Sequence, residues 1–120
     1  MRVMRPSKEL TQIFIYRDPI DFRKSHRGLS AIIEIELQHD PFAGHLYAFT
    51  NRQRNKIKCL FWEDNVFVLY YKSLAEEKFR WPKWSDELFT INGEQMNWLL
   101  DGYDIMNMTP HKKLEYDSVF

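Results

Sequence analysis

Residues 44–82 read GHLYAFTNRQRNKIKCLFWEDNVFVLYYKSLAEEKFRWP, and three β-prone runs lie within them: about 45–51, 56–63 and 66–72. Each is rich in aromatic and branched residues and is bounded by turn-forming ones. Arg52–Asn55 is short enough for a hairpin connection, and Asp64-Asn65 suits a two-residue turn in which Asn65 supplies the positive φ. Alternation along the strands sets Ile57, Cys59 and Phe61 against Lys56, Lys58, Leu60 and Trp62. On the next strand it sets Phe67, Leu69 and Tyr71 against Val66, Val68, Tyr70 and Lys72. Both faces are apolar, so the sheet requires cover on both sides.

Outside this run the cover is readable. Leu10 to Tyr16 forms a further strand, with Ile13 and Ile15 on one face and Phe14 and Tyr16 on the other. Asp18-Pro19 reads as a helix start, because aspartate caps well and proline suits the first helical position. The helix then runs over 19–37 with Phe22, Leu29, Ile32, Ile33 and Glu36 near one stripe, or begins after a turn at Asp21. His39 to Gly44 is a loop broken by Pro41. Beyond the third ribbon strand, 73–79 reads as a short helical turn and Leu88 to Ile91 as a strand. Asn92 caps a second helix, 93–101, with Met96, Leu99 and Leu100 on its apolar stripe and Gly102 at its end. The expectation is one α+β domain over 1–103, a mainly antiparallel sheet of three to five strands packed by two helices, with 104–120 as a mobile tail. The two helices leave Tyr47, Trp62 or Tyr70 to meet another subunit, so a homodimer or hetero-complex is expected.

Composition narrows the function classes. The chain has 120 residues, 44% of them hydrophobic and 16% aromatic, which is that of a folded protein. Formal net charge is zero, yet residues 1–60 hold eleven Lys/Arg against six Asp/Glu and residues 61–120 hold six against eleven. Such a chain can turn a basic face to a polyanion, or neutralise itself within the fold. Cys59 is the one cysteine, so an internal disulfide and a Cys-based zinc site are excluded. No apolar run has the length of a signal peptide or a membrane span, and the chain reads as cytoplasmic and without a membrane role.

The β-ribbon turn offers the best chemistry. Arg52, Arg54, Lys56 and Lys58 follow one another with no acid between them, and Gln53 and Asn55 lie beside them to reach base edges or sugar. A two-stranded ribbon also fits a DNA major groove. The competing reading is a solvated tip whose charges blunt an edge. Arg23 and Lys24, with Arg27 nearby, extend the basic surface, unless Asp21 and Arg23 form a carboxylate–guanidinium pair that holds the helix to the sheet. Lys72, Arg80 and Trp81 form a third candidate, with the indole as a platform for a base or as a core residue. No cofactor motif occurs. His26, His39, His45 and His111 lack the spacing of a helical metal pair, and there is neither a phosphate loop nor a serine-nucleophile motif.

The same segments resemble the accessory protein of insertion-sequence-66-type transposons, often labelled TnpB and distinct from the RNA-guided nucleases that share the label. The resemblance rests on Asp21-Phe22-Arg23-Lys24 with Gly28-Leu29, on Asp40-Pro41-Phe42-Ala43-Gly44, and on the basic turn followed by I-K-x-L-x-W, L-Y-Y-K-x-L and F-x-W-P. It spans roughly Asp18 to Pro82. Two departures stand out: Ser73 and Ala75 occupy places where the family carries Arg and Glu, and Glu63 to Val66 replaces a glycine-rich joint. The resemblance implies a non-enzymatic role in DNA transposition, with DNA, the transposase and a companion helix-turn-helix protein as partners. Two other readings stay open: an adaptor that binds protein without DNA, and a metal-dependent nuclease built on Asp18, Asp21 and Lys24.

Overall fold

A computed structural model describes residues 5–83 and 88–107 of the chain. Five strands form one mixed sheet: β1 (Ile13–Tyr16), β2 (Leu46–Thr50), β3 (Lys56–Glu63), β4 (Val66–Ser73) and β5 (Leu88–Ile91), in the spatial order β4-β3-β2-β1-β5. All pairings are antiparallel except β1 with β2, which is parallel and needs the long crossover that carries helix α1 (His26–Ala31). Helix α2 (Gly93–Leu100) follows β5. The fold class is therefore α+β, with a sheet that is mostly antiparallel.

The alternation along the strands sorts the core into two layers. Tyr16, Tyr47, Phe49 and Leu60 meet Leu29, Ile32 and Ile33 on one face. Ile13, Ile15, Ala48, Ile57 and Cys59 meet Met96, Leu99, Leu100, Phe79, Trp81 and Ile105 on the other. Burial pushes the Cys59 thiol far up, which makes it a small apolar side chain in practice. Each large side chain fully buried in this way contributes on the order of 2 kcal/mol. Tyr47 is sealed by the chain's own helix, at 1% exposure, and is removed from the candidates for a subunit contact. Tyr70 packs on the second layer and Trp62 is half-buried.

The crossover differs from the 19–37 helix expected. Residues 17–25 form an irregular loop, and the helix starts only at His26. The reason lies in where the loop's polar groups go. Asp21 Oδ1 accepts from Arg23 N at 2.9 Å, and Ile20 N donates to Thr50 O at 2.9 Å. Lys58 Nζ then takes the carbonyls of Phe22 and Lys24, at 2.7 and 2.8 Å, which a helix would have needed for its own ladder. From Ile32 to Glu36 the helix widens to π geometry, with Leu37 N donating to Ile32 O at 3.1 Å. Glu36 still reaches the sheet side, accepting from Tyr16 Oη at 2.8 Å.

Three further expectations are corrected. Positive φ at the β3–β4 turn falls on Asp64, at 55°, and not on Asn65. Residues 74–83 form no helical turn, because Leu74 N and Phe79 N donate across to Asn55 O and Arg54 O, at 2.8 and 2.7 Å. Residues 105–107 form a 3-10 turn that buries Ile105 in the second layer, so the packed domain continues past Tyr103. The rest of the expected tail, from 108 on, lies outside the described residues.

Helix α2 is too short to stand alone, and both its ends are closed. Asn92 and Gln95 form a capping box, while Gly102 at φ 94° lets Tyr103 N reach Trp98 O and Gly102 N reach Leu99 O, each at 3.0 Å. Arg5 ties the chain's beginning to the same helix through Asp101 at 2.6 Å and Asn97 at 3.0 Å. Gly93 is where that N-terminal segment lies against the helix: a Cβ there would sit 2.0 Å from Ser7 O.

Two substitutions test this packing. Gly93→Ala, which normally favours a helix by about 1 kcal/mol, is expected to destabilise the protein by about 1–3 kcal/mol in urea unfolding; a gain would show that the N-terminal segment yields freely. Lys58→Met should cost about 1–3 kcal/mol by stranding two carbonyls, whereas a lysine serving only a ligand would leave the unfolding midpoint unchanged.

Candidate nucleic-acid interface

The β2–β3 connection is organised by Asn51, a residue with no charge to draw attention to it in the sequence. Only 8% exposed, it accepts from the backbone N–H groups of Asn55 and Lys56 through Oδ1, both at 3.1 Å. Its Nδ2 donates to Asn55 Oδ1 at 2.7 Å and to Gln53 Oε1 at 3.2 Å. The side-chain oxygens of Gln53 and Asn55 thus face Asn51, and their amide hydrogens are what remains for a ligand. Thr50 Oγ1 donates to Lys56 O at 2.9 Å and closes the loop's base. The turn is held from within, and the charged ends of Arg52, Arg54 and Lys56 take no part in these bonds.

Those cations divide between two clefts. The first, about 420 Å³, lies between the 20–23 loop and the turn, and Arg23, Arg52 and Lys56 line it with Asn51, Gln53 and Tyr71. Tyr71 comes from β4, is 48% exposed, and stands edge-on to Phe22 with ring centroids 5.9 Å apart. Among the described residues the one carboxylate in the cleft is Asp21, which Arg23 grips at 2.6 Å and through its backbone N–H; these bonds hold its carboxyl at about 2, so it is ionised at neutral pH. Three cations against one carboxylate leave the cleft positive. Lys24 is exposed beside it.

The second cleft, about 430 Å³, lies across the turn between Arg54 and residues 78–83, and includes Arg80 and Trp81. Arg54 adopts φ 59°, a left-handed conformation that costs a non-glycine residue about 1–2 kcal/mol.

Three of the nine residues expected at an interface are turned inward. Lys58 is 6% exposed, burial lowers its pKa, and its ammonium lies on two carbonyls and over the rings of Phe22 and Tyr71, at 4.9 and 5.6 Å. Trp81 is 5% exposed and donates from Nε1 to Tyr16 O at 3.0 Å, which makes it a core residue whose edge reaches the second cleft. Lys72 donates to Leu100 O at 3.1 Å and braces β4 against α2. Alternation foretold that Lys56 and Lys58 share a face; it could not say that the 22–24 loop would close over one of them. Tyr71, Lys78 and Lys83 joined the clefts unannounced, since only the folded chain brings β4 and the 78–83 segment to the turn.

Asp18 pairs with Arg17 at 3.1 Å, and among the described residues no three His, Cys, Asp or Glu side chains gather as metal ligands. His39 and His45 stand edge-on to Phe14, and His39 Nδ1 lies 2.6 Å from Tyr47 Oη. Burial, with the charge of Asp40, pushes the Tyr47 hydroxyl up to about 12. No helix among the described residues is long and apolar enough to cross a membrane.

Comparison with known proteins agrees with this architecture's motifs. Two relatives come from Sinorhizobium fredii (strain NBRC 101917 / NGR234). Uncharacterized protein y4jC is 29% identical over 99 residues, covering 82% of this chain and 84% of its own, and uncharacterized protein y4hO is 26% identical over 101 residues, covering 84% and 88%. No solved structure matches the chain significantly. Residues 11–110 match the IS66 Orf2-like proteins, a span that takes in the whole sheet, both helices and both basic clefts. The chain belongs to the IS66 Orf2-like family, which associates it with an accessory role in transposition.

Proposed function

We propose that this protein is a non-enzymatic accessory factor of transposition that binds transposon DNA in the cytoplasm through the cleft beside the β2–β3 turn. The observation that carries the reading is the convergence of Arg23, Arg52 and Lys56, from two separate segments, around the half-exposed ring of Tyr71. Guanidinium and ammonium groups gathered in one cleft neutralise phosphates, and an aromatic ring beside them stacks a base. The backbone of the β2–β3 turn is self-bonded, so a ligand there has side chains to order and not the loop that carries them.

A second reading, docking to the transposase, to the companion helix-turn-helix protein or to a second copy, has its own observation. At the other end of β3, Phe42, Trp62 and Phe67 form an aromatic cluster, with centroids 4.9–5.4 Å apart. Ile35, 73% exposed, lines the same depression as Phe67. Along β3, Trp62 of this patch lies six residues, roughly 20 Å of chain, from Lys56 of the basic turn. One protein can therefore hold DNA at one end and a protein at the other.

The DNA reading is tested with the triple variant Arg23→Gln, Arg52→Gln, Lys56→Gln. Fluorescence anisotropy of a duplex from the transposon end, at several salt concentrations, should show weakened binding. The salt dependence should flatten by about 0.9 log unit per phosphate contact removed, while the unfolding midpoint moves little, since exposed charges each contribute under about 0.5 kcal/mol. A folded triple variant with the parent's affinity and salt slope would refute the cleft as the DNA contact.

A further inference from the structure

We infer that the second cleft is a phosphate-binding site in its own right, centred on Arg54 and completed by Lys78, Arg80 and Lys83. Among the described residues four cations surround one cavity of about 430 Å³, and the one carboxylate there, Asp104, is turned to its own loop. Asp104 accepts from Met106 N at 3.2 Å and from Asn107 Nδ2 at 2.7 Å, and pairs with none of the four cations. The surplus of positive charge suits a doubly charged oxyanion better than a single carboxylate.

Two observations single out Arg54. Its Nε is shut away from solvent and has no hydrogen-bond partner, the only such side-chain atom among the described residues. A buried charged donor left unmet is unfavourable, so arginine is held here at a cost, while the part of its side chain that lines the cleft is what a phosphate oxygen can reach. Its backbone, at φ 59°, occupies a conformation that glycine or asparagine adopts more readily. Arginine at that position serves through its side chain, since its backbone is a disadvantage to the turn.

The site is also built before any ligand arrives. Phe79 N donates to Arg54 O at 2.7 Å and Leu74 N to Asn55 O at 2.8 Å, which pins the 74–83 segment to the turn. Trp81, anchored on Tyr16 O at 3.0 Å, supplies the floor. Arg52 and Arg54, two residues apart, thus address opposite sides of one turn, and a strand laid across its tip would place neighbouring phosphates on both. Such a strand and a small phosphate molecule present the same chemistry to the site.

The test follows the Arg54 side-chain Nε–Hε resonance of the full chain by NMR, with inorganic phosphate, with a short single-stranded oligonucleotide, and with chloride as control. Saturable shifts with phosphate and oligonucleotide but not chloride are expected, and shifts with phosphate alone would assign the site to a small phosphate. R54G, which suits the turn's backbone, and R80Q/K83Q, which leaves the turn untouched, should each weaken binding of the shifting ligand on the order of tenfold. R54G should keep or raise the unfolding midpoint. The triple variant of the first cleft should leave the phosphate response intact, so the two sites succeed or fail separately. No saturable response to either ligand, or full binding by folded R54G and R80Q/K83Q, would overturn the proposal.

Discussion

Lys58 is the interaction on which the arrangement of this protein turns. A lysine on a central strand, buried among aromatic rings, has to find acceptors or lose its charge. It finds them in the carbonyls of Phe22 and Lys24, and in doing so holds the crossover loop against the sheet. That choice delays the helix to His26, leaves Asp21 to turn back on Arg23, and brings Arg23 to the rim of a cleft whose other wall is the β2–β3 turn. A cation that looks like part of the basic surface is thus what shapes that surface, and it faces the interior.

The second constraint is the sheet's two apolar faces. One is closed by α1 and the π-helical turn after it, the other by α2, residues 79–81 and Ile105. Closing the second face requires the chain to return from β4 along the β2–β3 turn, and the backbone bonds from Leu74 and Phe79 record that passage. The same return delivers Lys78, Arg80 and Lys83 to the far side of Arg54. Packing and charge placement are therefore one event: the segment that completes the core also builds the second basic cleft.

The two ends of β3 carry different surfaces. At the β2–β3 turn lie polar, self-bonded backbone and cations; at the β3–β4 turn lie Phe42, Trp62, Phe67 and Val66 around a turn of Asp64 and Asn65. Exposed aromatic and aliphatic groups of this kind, rimmed by His26, Arg27 and Glu34, have the composition of a protein-contact surface. A factor that links DNA to a transposition protein needs two unlike surfaces of this sort on a rigid core.

Local chemistry determined what the sequence alone could show. Alternation on β1 to β4 set the two faces, Asn92 with Gln95 and Gly102 marked the ends of α2, and the basic turn announced Arg52, Arg54 and Lys56. These features depend on residues near one another in the chain, so pattern and propensity suffice. The tertiary structure decided what depends on distant partners. Lys58 and Trp81 went inward because the Phe22, Lys24 and Tyr16 carbonyls lay within reach, at separations of 36, 34 and 65 residues. The helix shortened because those same carbonyls were taken. Arg52 and Lys56 parted from Arg54, and Tyr71, Lys78 and Lys83 joined them, because the chain reverses at the turn, with Arg54 in a left-handed conformation, and packing alone selects what meets each side.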